Sequence, residues 1–187
     1  MSGPEARPPE REVPPASWRR RLAEFTLRIA RELAIFAVVL LAVGWWMNRG
    51  LVPSGAPMPE FTFATIDHRV VSNEALAGKP TAMVVWAPWC GVCAVESSNV
   101  SRLSRWMGDR ANVVSVVVGY RDYASVTEFV RKHDVDYPVL LGDEDFEDAL
   151  NIERLPTIYF FDAEGKVTNR TSGYTPTLSL LVRLWLS

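Results

Sequence analysis

The sequence predicts an α/β fold in which a mixed central sheet is flanked by helices, preceded by one N-terminal helix. Strand-like and helix-like segments alternate from residue 61 onward, which is the pattern of strands joined by packed helices. Two segments, TAMVVWA (81–87) and NVVSVVVGY (112–120), are almost continuously apolar, as strands at the centre of a sheet are. A hairpin pattern followed by a helix closes the chain, which adds antiparallel strands to the sheet.

The chain of 187 residues is long enough for one domain with extensions. Residues 1–17 hold five prolines and mixed charges, and they are predicted to be a disordered cytoplasmic tail. Residues 50–59 hold three prolines and two glycines, and they are predicted to be a semi-stiff linker. The folded domain is predicted over residues 60–187.

Residues 18–49 are predicted to form an amphipathic start and a transmembrane anchor. The stretch 33–47 is uncharged over fifteen residues, with five arginines between residues 19 and 31 and with Trp45–Trp46 near its end, the pattern of a membrane segment with an aromatic belt. It is shorter than the roughly 20 residues of a spanning helix, so it would borrow from its flanks. The positive-inside rule then predicts a single pass through a bacterial inner membrane, with the N-terminus cytoplasmic and the domain periplasmic.

Two alternatives stay open for this segment. Ala42–Val43–Gly44 resembles a signal-peptidase site, in which case the segment would be removed. The apolar run continues past that site through Trp45 and Trp46, which favours retention. The other alternative is a buried core helix. The clustering of arginines on the N-terminal side of the apolar segment disfavours it.

The elements of the domain are predicted in order from local pattern. FTFATI and DHRVV predict two short strands joined by a turn, and SNEALAG predicts a short helix. TAMVVWA is a central strand, residues 91–107 a helix, NVVSVVVGY a second strand and ASVTEFVRKHD a helix. YPVLLG is a short extended piece, DEDFEDALNI a short helix, PTIYFFDAEGKVTNRTSGY a hairpin and TPTLSLLVRLWL the closing helix.

The charge balance excludes one class of partner. Residues 50–187 carry twelve Lys and Arg against seventeen Asp and Glu, a net charge of −5. Binding to nucleic acid requires a basic face, and so no nucleic-acid partner is predicted.

The two cysteines, Cys90 and Cys93, lie in WAPWCGVC. A structural zinc site needs about four ligands, and His68 and His133 are not spaced as partners for these cysteines. Haem attachment needs a histidine directly after the second cysteine, where this chain has alanine. A structural bridge over two residues closes too short a loop to stabilise much. A copper(I) site of two thiolates stays open.

A redox pair has a positive physical argument. If Cys90 lies between the strand TAMVVWA and the next helix, unpaired N–H groups and the helix dipole stabilise its thiolate. Cys93, one turn further on, would be more buried and placed to resolve a mixed disulfide. Trp89 would shield one side and leave Cys90 exposed. No metal and no cofactor is predicted besides the redox-active Cys90–Cys93 disulfide.

WAPWCGVC after an apolar strand, with RLPTIYFFD about sixty residues later, resembles the thioredoxin fold over roughly residues 60–187. The N-terminal segment, the FTFATIDHRVVSNEALAGKP entry and Glu96 are similar to the TlpA/ResA-like membrane-anchored thioredoxins. Within that group, the sequence around the cysteine motif is most similar to that of the suppressor-for-copper-sensitivity D (ScsD) proteins.

The resemblance implies roles for further residues. Pro156 would be the cis-proline beside the cysteines, and it would hold the backbone of the substrate with its neighbours Leu155 and Thr157, while Trp89 would contact the substrate. Glu96, three residues after the second cysteine, would move protons during exchange. The alternative for this residue is a solvated glutamate, favourable near the start of a helix for its charge alone.

Two positions depart from thioredoxin proper. Thioredoxin has a buried aspartate in the strand before the motif, and this chain has Val84 at the corresponding position. Proton transfer must then rely on another group, which strengthens the case for Glu96. Gly91 and Val92 between the cysteines supply no cation, which favours a reductant over a strong oxidant, although the potential depends on other features as well.

The predicted function is that of a periplasm-facing thiol-disulfide oxidoreductase, which exchanges disulfides with exported proteins. As a reductant it would need a membrane protein that donates electrons, because the chain has no second cysteine pair. The alternative is a membrane-tethered module that binds copper(I) or apo-cytochrome and uses the same thiols as ligands. A thiol peroxidase is disfavoured, because no separate peroxidatic cysteine exists. Copper tolerance and cytochrome c maturation are both open as cellular roles.

Overall fold

A computed structural model of the chain describes residues 16–187. The chain divides into two units, one that ends at Trp46 and one that spans Met47–Ser187. The disordered tail predicted over residues 1–17 lies outside the described residues, except for its last two positions, which belong to the first helix.

Helix α1, Ala16–Asn48, covers the predicted amphipathic start and anchor. Large apolar side chains are exposed along it, Leu41 and Trp45 among them. In the described part of the chain, neither α1 nor any other helix is both long and apolar enough to cross a membrane. The uncharged stretch 33–47 is shorter than the roughly 20 residues that a bilayer requires, and the anchor over residues 18–49 stays a prediction.

Residues 50–59 are part of the domain, which corrects their prediction as a linker. The N–H groups of Gly55 and Met58 donate to the carbonyls of Val167 and Gly165, both at 2.7 Å, and the side chain of Leu51 is buried in the core. Proline removes only its own N–H, so a proline-rich segment can still pair along the edge of a sheet. The domain therefore begins about ten residues earlier than its sequence predicts.

The first two strands form the predicted hairpin. Strand β1, Thr62–Ala64, pairs antiparallel with β2, Val70–Ser72. This small sheet leads into a single 3-10 turn at Asn73–Leu76, where a short helix is predicted. Phe63 points inward from β1 and joins the core.

Within residues 16–187 the central sheet has five strands and is mixed, as predicted. In chain order, β3 to β7 span Thr81–Trp86, Asn112–Val117, Val139–Leu141, Thr157–Phe161 and Val167–Ser172. Their spatial order is β5-β4-β3-β6-β7; β3, β4 and β5 are parallel, whereas β6 is antiparallel to both of its neighbours. Strand β3 is therefore central and buried along its whole length, as its apolar run predicts.

The helices of the domain are α2, α3, α4 and α5, which span Gly91–Met107, Tyr123–Lys132, Glu144–Ala149 and Thr177–Trp185. Asp122 caps α3 by accepting a hydrogen bond from the N–H of Ser125 at 2.7 Å, which satisfies a donor that the start of a helix leaves free. Helices α2 and α5 contact each other. Successive residues of β3 point to opposite faces: Val84 packs in the core that contains α2 and α5, and Val85 packs in the other core.

The sheet topology brings three loops to one edge. Parallel pairing places the end of β4 beside the end of β3, where Val117 is opposite Trp86. Antiparallel pairing places the start of β6 at the same edge, where Thr157 is opposite Val85. The cysteine motif after β3, the loop after β4 and the residues before β6 therefore converge.

Candidate redox site

Cys90 is the N-cap residue of α2, as the sequence predicts. Its backbone is extended, with φ −85° and ψ 104°, and its sulfur accepts a hydrogen bond from the N–H of Cys93 at 3.2 Å. The first turn of a helix has free N–H groups and the positive end of the helix dipole, and both stabilise a thiolate at this position.

The two cysteines form a disulfide, with the Cα atoms 5.2 Å apart. Cys90 is 8 % exposed and Cys93 is 3 % exposed, so the first is the more accessible of the two, as predicted. The prediction that Cys90 is openly exposed is wrong for this oxidised state, because its side chain packs in a cluster with Trp86 and Ala87.

Trp89 stands out from the surface beside the disulfide. Its side chain is 71 % exposed, and its indole N–H donates to the carbonyl of Gly119 at 2.9 Å. Gly119 has a φ of +57°, and a Cβ there would lie 3.6 Å from the indole nitrogen. The contact ties the cysteine loop to the loop after β4.

Glu96 is buried on the second turn of α2, only 1 % exposed. One carboxylate oxygen, Oε2, accepts hydrogen bonds from the N–H of Thr175 at 3.0 Å and from Nδ2 of Asn99 at 3.3 Å. Among the described residues the other oxygen, Oε1, has no hydrogen-bond partner. Burial raises the pKa of Glu96 above its usual value, against the smaller lowering effect of these two hydrogen bonds. The alternative of a solvated glutamate is therefore wrong.

Glu96 and Cys93 line the same small cavity. Its volume is about 10 Å³, close to the size of one water-sized sphere. Val84 and Pro156 also line it. Glu96 thus lines, from α2, the same cavity that Val84 lines from β3. This arrangement fits the expectation that Glu96 compensates for the missing aspartate.

Pro156 follows a cis peptide bond from Leu155, as the resemblance implies. Leu155 packs partly buried against the cluster that contains both cysteines. Thr157 is fully buried, and its hydroxyl donates to the carbonyl of Arg154 at 2.7 Å and lies 3.0 Å from that of Ser172. The side chain of Thr157 therefore holds the loop from inside and is closed to a substrate.

Three residues around Glu96 are absent from the sequence-based site. Asn99 lies one turn after Glu96 on the same helical face, which the i, i+3 spacing could have indicated. Thr175 is 79 residues away in sequence, and no local pattern predicts its contact. Tyr137 lines the cavity, and burial, then the charges of Asp136 and Glu96, raise the pKa of its hydroxyl.

Within residues 16–187, no group of three or more His, Cys, Asp or Glu side chains is placed to hold a metal ion. The site itself holds two sulfurs, joined as a disulfide, and the buried carboxyl group of Glu96. A bridged pair at the start of a helix, whose inner sulfur shares a cavity with a carboxyl group, is arranged for thiol-disulfide exchange. With a cis-proline beside the pair, this fold defines the chain as a thioredoxin-like protein.

The Redoxin family model matches residues 53–182, most of the Met47–Ser187 unit, and the chain belongs to that family. It is 28% identical over 148 residues to the thiol:disulfide interchange protein DsbE of Pseudomonas fluorescens biotype C, covering 75% of this chain and 80% of the relative. It is 25% identical over 162 residues to the thiol-disulfide oxidoreductase ResA of Bacillus subtilis, covering 82% of this chain and 89% of the relative.

Solved structures agree with this assignment. The structure of MTB DsbF in mixed oxidised and reduced forms aligns with a TM-score of 0.62 and 25% identity, over 67% of this chain and 93% of that one. The chain is thus a thiol-disulfide oxidoreductase, and the predicted likeness to ResA-like thioredoxins is confirmed. The finer likeness to ScsD proteins stays a prediction.

Proposed function

We propose that the protein reduces disulfides of exported proteins through Cys90 and Cys93, with Glu96 as the proton acceptor. The observation that carries this proposal is the small cavity that Cys93 and Glu96 both line, together with the buried carboxylate oxygen of Glu96 that has no hydrogen-bond partner among the described residues. A carboxyl group held there lies where the second thiol of the reduced protein must lose its proton.

The reaction begins with the reduced protein. The Cys90 thiolate attacks one sulfur of a client disulfide; a bond forms between Cys90 and that sulfur, and the client disulfide breaks and releases one client thiolate. Cys93 then transfers its proton to Glu96, and its thiolate attacks the sulfur of Cys90. The Cys90–Cys93 bond forms and the second client thiolate leaves. The client has gained two electrons, and the protein has lost two.

The direction of electron flow is part of the proposal. The residues between the cysteines, Gly91 and Val92, are exposed and uncharged, so they offer no cation that would stabilise the thiolate and make the pair a strong oxidant. A reductant must be re-reduced by a partner dithiol, and we assign this role to an electron-donor protein of the membrane.

The compartment is also a proposal. A disulfide persists in an oxidising compartment outside the cytoplasm, and the arginines that precede the apolar stretch of α1 are typical of exported chains. The domain would then meet client proteins after their export, in the periplasm. In the periplasm the Cys90–Cys93 disulfide can persist, and the domain can reach the exported proteins on which it acts.

The proposed exchange reaction is tested by trapping its mixed-disulfide intermediate. In Cys93→Ala the attack of Cys90 still forms a mixed disulfide with the client, but no thiol is left to resolve it. Mixed disulfides with exported proteins should accumulate, visible on non-reducing gels and lost on reduction, and Cys90→Ala is the matched control that should trap none. Copper(I) binding without any trapped client would instead support a binding module and overturn the proposal.

The direction is tested by the reduction potential of the pair, measured against glutathione and dithiothreitol buffers. A value near that of thioredoxin, about −270 mV, supports a reductant. A value near that of the strong oxidase DsbA, about −120 mV, would mean that the protein donates disulfides.

A further inference from the structure

A groove of about 460 Å³ begins one residue before Cys90. Pro88 and Trp89 line it from the cysteine loop, and Tyr120 and Phe129 line it from the loop after β4 and from α3. The hydrogen bond from the Trp89 indole to Gly119 joins these two walls. A polypeptide whose sulfur reaches Cys90 therefore passes next to this groove.

The groove is cationic on a domain that is acidic. Arg121 and Lys132 line it and are exposed, whereas Glu128 is its one acidic lining residue. Neither cation takes part in an ion pair among the described residues. Residues 50–187 as a whole carry twelve basic and seventeen acidic side chains, so a cationic groove beside the reactive sulfur departs from the rest of the surface.

The groove also has an aromatic surface. The ring of His133 packs against Phe129 with centroids 4.5 Å apart, and Trp89 presents its exposed indole. The volume is that of a small ligand site, which is room for a few side chains of a longer partner. Cations at the rim of an aromatic groove suit a segment that carries carboxylates and apolar side chains together.

We infer that this groove selects client polypeptides that carry acidic residues next to the cysteine that exchanges with Cys90. Arg121 and Lys132 bind the carboxylates, and Trp89 packs against the neighbouring apolar side chain. The inference rests on the proposed function and narrows its substrate class. Exposed charges of this kind raise the rate of productive encounter more than they strengthen the final complex.

The experiment uses the reduced full-length chain and three peptides that differ only at the residues flanking a single cysteine, which are Glu, Gln or Lys. Each cysteine carries a neutral thiopyridine as a mixed disulfide. When Cys90 attacks the peptide sulfur, the thiopyridine leaves, and its absorbance reports the rate. Dividing each rate by that of mercaptoethanol with the same peptide removes the intrinsic effect of the flanking charge.

The normalised rate should be about three- to tenfold higher for the Glu peptide than for the Gln peptide, and lowest for the Lys peptide. The Glu preference should shrink in about 1 M salt, where charges are screened within about 3 Å. In the double variant Arg121→Gln/Lys132→Gln the ratio of Glu to Gln rates should fall to about one.

The control is Arg131→Gln, matched to the single variant Lys132→Gln: each removes one positive charge from an exposed position on α3, but Arg131 does not line the groove. Arg131→Gln should keep the wild-type ratio of the Glu-peptide rate to the Gln-peptide rate. If this ratio fell as far as it does in the groove variants, the preference would depend on net charge alone, which would overturn the inference. Equal normalised rates for all three peptides in the wild type would also overturn it, while the proposed function would stand. Failure to exchange with any peptide would overturn the proposed function itself.

Discussion

Two buried polar side chains on opposite faces of the central sheet, Tyr159 and Glu96, differ in how completely their polar atoms are hydrogen-bonded. On one face the hydroxyl of Tyr159 donates to the carbonyl of Leu150 at 2.6 Å and accepts from the N–H of Val52 at 3.0 Å. On the other face, in the described residues, Glu96 leaves one carboxylate oxygen without a partner. Unpaired buried groups cost stability, so Glu96 gives up stability that the fully hydrogen-bonded hydroxyl of Tyr159 keeps.

Burial raises the pKa of both groups, but the consequences differ. A tyrosine starts from a usual pKa of about 10, and raising it further leaves the hydroxyl neutral at any physiological pH. A glutamate starts from about 4.3, so raising its pKa moves it towards the pH at which thiols exchange. Only the second shift prepares a group to accept and release a proton.

The largest expected effect comes from two neighbours on β6 that point to opposite faces. Phe160 and Phe161 are both fully buried, one in the core with α2 and α5 and the other in the opposite core. Truncation to alanine should lower the free energy of unfolding by about 3–5 kcal/mol in either case, because each leaves a cavity. Urea denaturation measures this loss.

The exchange rate per folded molecule separates the two variants. Phe161→Ala should keep it, because neither cysteine nor Glu96 belongs to the core that contains Phe161. Phe160→Ala should lower it, because the core behind α2 relaxes. Equal rates in both variants would show that the site does not depend on packing of its own face.

The second expected effect is on catalysis. Glu96→Gln keeps the shape of the side chain but removes the carboxyl group that we propose accepts the proton of Cys93, so the resolving step should slow by about 10- to 100-fold. Single-turnover reduction of a peptide disulfide by the reduced protein measures this step. A wild-type rate in the variant would remove Glu96 from the mechanism.

The smallest expected effect is a change in the pH dependence of stability. The pKa of Glu96 is higher in the folded state than in the unfolded chain, so the native state loses stability as the pH rises from about 4.3 through the folded pKa. Glutamine carries no such proton. Glu96→Gln should therefore become progressively more stable relative to the wild type as the pH rises through this window, and the full gain should be present at pH 8, measured by urea denaturation.

Tyr159→Phe is the control for that comparison. Removing the hydroxyl leaves the carbonyl of Leu150 and the N–H of Val52 without this partner, so the variant should lose about 1–2 kcal/mol. The loss should be the same from pH 4 to pH 8, because the tyrosine stays neutral throughout. A difference that varies with pH would contradict the contrast between the two faces.

Local pattern predicts much of this molecule. The apolar run of β3, the CxxC motif and the unbroken helix after it give the position of Cys90 at a helix start, because these features depend on neighbours in sequence. The same reasoning fails for residues 50–59, whose prolines predict a linker although their N–H groups pair with a hairpin more than a hundred residues later. A segment without a pattern of its own takes its structure from the partner it meets.

Residue type, spacing and order along the chain were thus enough for the α/β architecture and for the choice of Cys90 and Cys93 as the reactive pair. The state of Glu96 was not accessible in this way. Its burial, its bond to Thr175 and the cavity it shares with Cys93 depend on the packing of α2 against α5 and β3. Contacts between segments that are distant in sequence set the local dielectric and the hydrogen-bond partners, and these are what change a solvated carboxylate into a group that can move a proton.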